Sequence, residues 1–384
     1  MSKPKIVILI DWYLPGTKAG GPVRSIYSLM NLLKRHFEFY IITTNHDLGS
    51  KTPYSSIVPN TWTYEADIHY YYFSQEHLNT SNMTDIIRKV DPAVVYINSF
   101  WSFNFSINIL NITRKNRIRA RIVLAPRGML GKGALGLKSF KKKFYIKLAK
   151  LLGFYKNVIF HATQEQEKTD ITSKFKTAHI VIAPNVNSGS VLNNKSVKKK
   201  NHIKIFYLSR IAKVKNLHFA LETLKSIPKE YEVEYDIYGN LEDQEYWKYC
   251  QTLIDQLPHN INVNYIRELN FSEVQETIRN YNFLFLPTLN ENFGHSIVES
   301  LLCGCPVIIS DQTPWIDMEE EGAGYAISLS DKTAFINAIE KCSALNQEEF
   351  SAMSVKAINY ISKKIDHDVI TNQYKKLFND GTKN

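Results

Sequence analysis

The sequence predicts an α/β protein made of two doubly wound, Rossmann-like domains, and three observations lead there. Strand-like and helix-like segments alternate through both halves of the 384-residue chain. A polar stretch, residues 188–202, separates the two series. A hydrophobic content of 44% at this length allows two cores.

The first series reads as strand 5–10, helix 23–35, strand 37–43, strand 93–97, helix 107–115, strand 121–124, helix 138–152, strand 158–162 and strand 180–183. The short apolar runs suit strands of a parallel sheet covered on both faces. Ser188-Gly189-Ser190, Asn193-Asn194-Lys195 and Lys198-Lys199-Lys200-Asn201 give 188–202 a linker composition. The second series reads as strand 203–208, helix 218–226, strand 233–238, helix 245–256, strand 261–265 and helix 272–280. Residues 1–187 and 203–365 are therefore expected to be the two domains.

The densest information lies between residues 281 and 315. Residues 281–286 read as a buried strand, which Pro287 ends. A polar loop carries Glu291, a helix is expected over 293–303 with Gly304 as its stop, and Pro306 opens another buried strand. A loop that leaves the C-terminal edge of a parallel sheet and feeds a helix N-terminus suits an anionic ligand. Glu291 and Glu299 are misplaced for phosphate but suit hydroxyl groups. The ligand these residues describe is both phosphorylated and polyhydroxylated.

Glu291-x7-Glu299, with Phe293-Gly294 and Gly304-x-Pro306-Val307, resembles the signature of the retaining glycosyltransferases of family 4. That family has the GT-B fold, two Rossmann-like domains facing each other across a cleft. The resemblance implies that Glu291 faces the donor sugar and that Glu299 binds the ribose. Phe293, Gly294 and His295 would lie against sugar and diphosphate. It further implies that residues 366–384 form a helix crossing back to the first domain.

Arg210 and Lys215 follow a strand and precede a helix, where two cations can clamp a diphosphate. They resemble the family's Arg-x-x-x-x-Lys element, which neutralises the leaving nucleoside diphosphate; Lys213 falls off that pattern. Gly20-Gly21 follows the first strand and opens a helix, and resembles the family's diphosphate-closing loop. It lacks the Gly-x-Gly-x-x-Gly spacing of a dinucleotide site. Arg24 either faces the ligand there or is an ordinary exposed helix residue. Arg127, in Pro126-Arg127-Gly128-Met129, stands where many relatives have a histidine and resembles a subgroup associated with bacterial surface polysaccharides. It is a candidate for diphosphate or acceptor contact, as is Asn98, which is equally readable as a loop residue. Tyr238, Arg267 and Leu269, at other strand ends, are candidates to border the base.

Residues 1–200 hold 30 Lys+Arg against 11 Asp+Glu, a balance of +19, whereas residues 201–384 hold 17 against 26, a balance of −9. The basic half suits an anionic surface. Eight lysines, Lys132, Lys138, Lys141, Lys142, Lys143, Lys147, Lys150 and Lys156, occur without an acid among them and alternate with Phe and Leu. Such a helix either rests on an anionic leaflet or is a domain helix with a basic solvent face. No nucleic-acid module accompanies the charge, so no nucleic-acid partner is expected.

No apolar run reaches membrane-spanning length, and Ile6–Ile10 is too short for a signal-peptide core. Four cysteines suggest free thiols in a reducing cytoplasm rather than a disulfide framework. Asp366-His367-Asp368 mimics a metal-binding Asp-x-Asp but falls before a helix, where Asp is a cap; no metal or other cofactor is expected.

The expected protein is a cytoplasmic, peripheral membrane enzyme. The resemblance implies transfer of a sugar, with retention of configuration, from a nucleotide-sugar donor to a glycan or polyprenyl-linked acceptor. A nucleotide-sugar 2-epimerase of the same fold and a non-catalytic nucleotide-sugar-binding subunit remain as alternatives.

Overall fold

The computed structural model describes residues 2–65, 67–115, 118–131 and 139–379. The chain divides into two units, one holding residues up to Ser188 together with the helix from His367, the other Gly189–Asp366.

The first unit is built on an eight-stranded sheet in the order β3-β4-β2-β1-β5-β6-β7-β8. Its strands are β1 (Lys5–Leu9), β2 (Glu38–Thr44), β3 (Trp62–Glu65), β4 (Ile68–Phe73), β5 (Val94–Ile97), β6 (Arg121–Leu124), β7 (Val158–Ala162) and β8 (His179–Ile182). All neighbours pair in parallel except the β3–β4 hairpin at the edge. Central strands such as β5, Val-Val-Tyr-Ile, are wholly buried, as a sheet with helices on both faces requires. The helices are α1 (Gly21–Leu33), α2 (Thr80–Val90), α3 (Asn108–Arg114), α4 (Ser139–Leu151) and α5 (Glu165–Lys174). A π-helical turn, Phe103–Ile107, leads into α3.

The second unit has six parallel strands in the order β11-β10-β9-β12-β13-β14. They are β9 (His202–Leu208), β10 (Glu232–Tyr238), β11 (Ile261–Arg267), β12 (Phe283–Leu286), β13 (Val307–Ser310) and β14 (Gly324–Ile327). Between and after them run α6 (Leu217–Leu224), α7 (Gln244–Ile254), α8 (Val274–Ile278), α9 (His295–Leu302), α10 (Lys332–Ala344) and α11 (Gln347–Lys364). The core joins β12 and β13, buried at every position, to Ile297, Val298 and Leu301 of α9. Each such side chain removed from water contributes about 1.5–3 kcal/mol.

The last helix, α12 (His367–Asn379), packs within the first unit. Phe378 meets Phe37 and Tyr96 edge-on, each at 5.4 Å between centroids. The Tyr374 hydroxyl donates to Pro184 O at 3.1 Å, and Arg121 donates to Phe378 O.

Residues 189–202 differ from the linker that their composition suggests. Leu192 N donates to Leu302 O and Lys195 N to Arg279 O, so the segment lies along the second unit. The Lys198 ammonium is drawn inward onto four backbone carbonyls: Lys199 at 2.7 Å, His202 at 2.8 Å, Ser343 at 2.7 Å and Leu345 at 3.0 Å. Two of these stand at the C-terminal end of α10, where carbonyls lack helical partners and a cation is favoured.

Candidate functional site

In the second unit the chain runs from β9 outward through β10 and β11, then returns to place β12 on the other side of β9. The C-terminal ends of β9 and β12 thus diverge at a topological switch point, where ligands bind in open α/β sheets. Arg210 and Lys215 leave β9 there, and Glu291 leaves β12.

The two loops are tied to each other. Leu289 N donates to Val214 O at 2.9 Å, and the Thr288 hydroxyl to the same carbonyl at 3.1 Å. Asn216 sits at φ 59, a left-handed conformation that Asn tolerates, and its amide donates to Pro287 O at 2.9 Å. Across this brace Lys215 Nζ meets Glu291 Oε2 at 2.5 Å, with side-chain exposures of only 10% and 18%. A half-dry pair of this kind is held by mutual charge and is costly to break from one side. Arg210 pairs with Glu242 in a more exposed position, and the Tyr207 hydroxyl donates to Arg210 O at 3.0 Å. Lys213 is exposed.

The helix expected over 293–303 starts later, at His295. Gly294 takes φ 79, outside the helical region, so the first turn cannot include Phe293. A Cβ at Gly294 would meet Ile297 Cδ1 at 2.8 Å and Glu291 Cγ at 3.2 Å, so glycine permits the close packing of Glu291. Glu299 therefore lies one turn into α9, and is buried. Phe293 stacks edge-on with His295 at 4.8 Å, and Trp315 Nε1 donates to Phe293 O at 2.5 Å. Cys303 is the C-cap, and Gly304 follows it at φ 60.

Two of the base candidates are engaged elsewhere. Tyr238 is buried and its hydroxyl bonds the Tyr281 hydroxyl at 2.7 Å, which in turn donates to Asp236 at 2.6 Å. The ring thus packs into the core at the end of β10. Arg267 reaches Glu273 through both Nη1 and Nη2, at 3.0 and 2.9 Å, and stays exposed; Leu269 is buried.

In the first unit the switch point lies between β1 and β5. Gly20, at φ 64, precedes α1, Pro22 occupies its first turn, and Arg24 N donates to Gly20 O at 3.3 Å. Arg24 is half-buried. The loop before it is latched from β2 and β4: Asp47 accepts from Thr17 N at 3.1 Å, and the Tyr72 hydroxyl donates to Leu14 O at 2.6 Å. Asp11, at the end of β1, accepts from the Ser102 hydroxyl at 2.6 Å; burial raises its pKa above the usual range.

Asn98 and Arg127 come together. The Arg127 guanidinium forks onto Asn98 Oδ1 from Nε at 3.2 Å and Nη2 at 2.7 Å, and Nη2 also donates to the Tyr96 hydroxyl at 3.0 Å. Asn185, after β8, accepts from Nη1. Tyr96 passes the chain on to His161 Nδ1 at 2.7 Å, and His161 Nε2 donates to Ala183 O at 2.7 Å. Burial, with the Arg127 charge adding to it, holds the His161 pKa down to about 3, so the ring is neutral. Tyr96, His161, Asn185, Glu242 and Asn216 carry no sequence signal beyond their positions at strand and helix ends.

The buried histidine predicts an acid response. Above pH 6.5 His161 is neutral in folded and unfolded chain alike. As pH falls from 6.5 toward 3, only the unfolded chain gains the proton, and stability drops by roughly 1.4 kcal/mol per pH unit from this group. His161→Gln should flatten that slope in urea unfolding followed between pH 7 and 4; parallel pH profiles for variant and wild type would contradict it.

Two parallel, doubly wound sheets with these sites at their switch points define the GT-B fold, and solved structures share it over nearly the whole chain. The sucrose-phosphate synthase of Thermosynechococcus elongatus matches with a TM-score of 0.72 at 13% identity, covering 99% of each chain. Anabaena HepE, solved with UDP and glucose, matches at 0.67 and 14%, covering 98% of this chain and 100% of its own. WaaG, a glycosyltransferase involved in lipopolysaccharide biosynthesis, matches at 0.65 and 12%, over 98% and 100%. Residues 190–360, within the second unit, match the family described as Glycosyl transferases group 1. No curated protein matches the sequence.

Proposed function

We propose that the chain is a retaining glycosyltransferase that moves a sugar from a nucleotide-sugar donor to a glycan or polyprenyl-linked acceptor in bacterial surface-polysaccharide synthesis. The Lys215–Glu291 pair at the second unit's switch point carries this reading, because it sets a phosphate-binding cation against a hydroxyl-binding carboxylate. Arg210 and Lys215 stabilise the leaving diphosphate, and the amides that open α9 add to them. Glu291 orients the sugar and the positive charge that develops at its anomeric carbon. Glu299 binds ribose. The leaving phosphate takes the acceptor's proton on the same face, so the protein supplies position and charge rather than a base. Incubation with a panel of nucleotide-sugars and a glycan or polyprenyl phosphate acceptor tests this. Sugar transferred with its anomeric configuration kept is expected, and epimerised donor without transfer would overturn the reading.

The two glutamates separate in kinetics. Glu299→Ala should mainly weaken nucleotide binding, since a ribose contact persists from ground state to transition state. Glu291→Ala should lower the maximal rate while leaving nucleoside diphosphate affinity intact, because it also releases Lys215 for the phosphates. Calorimetry beside steady-state rates decides; the reverse ordering would refute both roles.

We assign the peripheral membrane position to α4. Phe144, Leu148 and Leu151 recur at helical spacing on its outer side with exposures of 62%, 42% and 83%, while Ile146 and Ala149 face the core. Lys147, Lys150 and Lys156 are exposed beside them. Lys132 and Lys138, and the side chains of Lys141 and Lys143, fall outside what the structure describes. Apolar side chains flanked by lysines suit the interface of an anionic leaflet, where each lysine contributes up to about 1 kcal/mol. Among the described residues no helix is long and apolar enough to cross a membrane. Anionic vesicles should co-sediment the protein at low salt and neutral vesicles much less. Lys147→Glu with Lys150→Glu should release it while donor binding stays intact; equal sedimentation with both vesicle types would leave only a basic solvent face.

A further inference from the structure

The candidate cations of the second unit each hold a carboxylate: Lys215 holds Glu291, Arg210 holds Glu242 and Arg267 holds Glu273. Arg127 in the first unit does not. Its guanidinium is gripped by the side-chain oxygens of Asn98, Asn185 and Tyr96, all neutral. Among the described residues no carboxylate pairs with it. Glu167, the buried acid of this region, places Oε1 on Gly128 N at 2.7 Å and Oε2 on Thr163 N and its hydroxyl at 2.8 and 2.7 Å. His161 beyond Tyr96 is neutral. The charge is therefore oriented by neutral groups, without a direct ion pair among the described residues.

Three further observations bear on what this arrangement is for. Arg127 and Gly128 take φ of 55 and 75, and a non-glycine residue in the left-handed region is strained. The surrounding bonds hold that strained conformation. Among the described residues, the neutral fork leaves one of the five guanidinium N–H groups, on Nη1, without an acceptor. Arg127 also stands at the C-terminal edge of β6, with Asn98 at the end of β5, next to the switch point of this sheet. A fixed, half-buried cation with a spare donor beside a switch point is stabilised most by an incoming anion.

We propose that Arg127, positioned by Asn98, Asn185 and Tyr96, is an oxyanion subsite of the first unit that binds a phosphoryl oxygen of the ligand. Two sources present that chemistry: a phosphorylated acceptor, and the diphosphate of the donor. The subsite stands on first-unit geometry alone, so its failure leaves the donor assignment in the second unit untouched.

Phenylglyoxal labelling of the full chain, mapped by peptide mass spectrometry, tests it without any variant. Inorganic phosphate at about ten times its dissociation constant should slow labelling of Arg127 about tenfold, because only the free site reacts. Chloride at the same ionic strength should not. Equal labelling in both salts, or an Arg127 inert to the reagent in both, would overturn the proposal. A second measurement uses the Arg210→Ala, Lys215→Ala background, where the second-unit cations no longer contribute. There phosphate should still raise the melting temperature, Arg127→Lys should keep part of the shift, and Arg127→Met should lose it. A shift that survives Arg127→Met unchanged would also overturn the proposal. The source follows from two further titrations. Nucleoside diphosphate binding weakened by Arg127→Met identifies the donor diphosphate. Unchanged nucleotide binding, with Arg127 protected by a polyprenyl monophosphate, identifies the acceptor.

Discussion

Lys215→Ala is expected to lower turnover about a hundredfold or more, the scale for losing one preorganised charge donor at a leaving group. The structure gives this substitution two consequences. It removes the cation that meets the departing diphosphate on the proposed reading. It also leaves Glu291, with 18% of its side chain exposed, without the ammonium 2.5 Å away. A carboxylate so placed turns toward water, which costs the orientation of the sugar. Arg210→Ala should fall by a similar factor through the first effect alone, since Glu242 is exposed enough to be solvated. Steady-state rates beside nucleoside diphosphate affinities distinguish the two. Rates within threefold of wild type for both variants would remove the clamp from the site.

The second large effect is expected at a glycine that carries no charge of its own. Gly239 takes φ 149 where β10 passes the exit of β9, and a Cβ there would lie 1.8 Å from Ser209 O. The neighbour is backbone, so no rotamer change relieves the overlap. Gly239 N also donates to Arg267 O at 3.2 Å, and its carbonyl accepts from the Tyr265 hydroxyl at 3.0 Å, which fixes it from the other side. Gly239→Ala should cost about 3 kcal/mol or more, from a strained φ together with overpacking. Because the displaced peptide is the one entering Arg210, any folded fraction should also lose turnover. Denaturant unfolding of the variant beside wild type is the check; coincident midpoints would contradict it.

The region around Glu291 was legible because its signals are local. An apolar run, Pro287, and Gly304 past the end of a helix each act within a few residues, and together they mark strand, helix and strand correctly to within two residues. The late start of α9 was not legible, because only the left-handed Gly294 excludes Phe293 from the turn. The Lys215–Glu291 contact joins residues 76 apart, and Arg127–Asn185 joins residues 58 apart. Lys215, Glu291 and Arg127 were candidates and Asn185 was not, and in both cases pairing is decided by strand order, which periodicity does not carry. Tyr238 shows the same limit: its place at a strand end is readable, and its hydroxyl bond to Tyr281, 43 residues away, is not.

Between residues 44 and 92, strands β3 and β4 and helix α2 escaped the alternation. The run Ile68–Phe73 carries four consecutive buried or half-buried aromatic residues, which masks a period of two. The segment 188–202 misled for a different reason. Polarity is taken as a sign of solvent, yet the Lys198 ammonium is satisfied by backbone carbonyls, and a polar residue with enough acceptors packs as firmly as an apolar one.

The placement of α12 bears on how the chain is made. Phe378 closes over Phe37 and Tyr96, and Tyr374 caps Pro184, so the first unit is assembled from the earliest and the latest parts of the chain. On the ribosome the second unit has every one of its residues in hand once position 366 has emerged. The first unit, begun long before, must hold its aromatic groove uncovered until position 379 follows. The order of completion is therefore the reverse of the order of translation. Loss of the final helix would leave a nascent intermediate, greasy along that groove, as the product that chaperones and proteases meet.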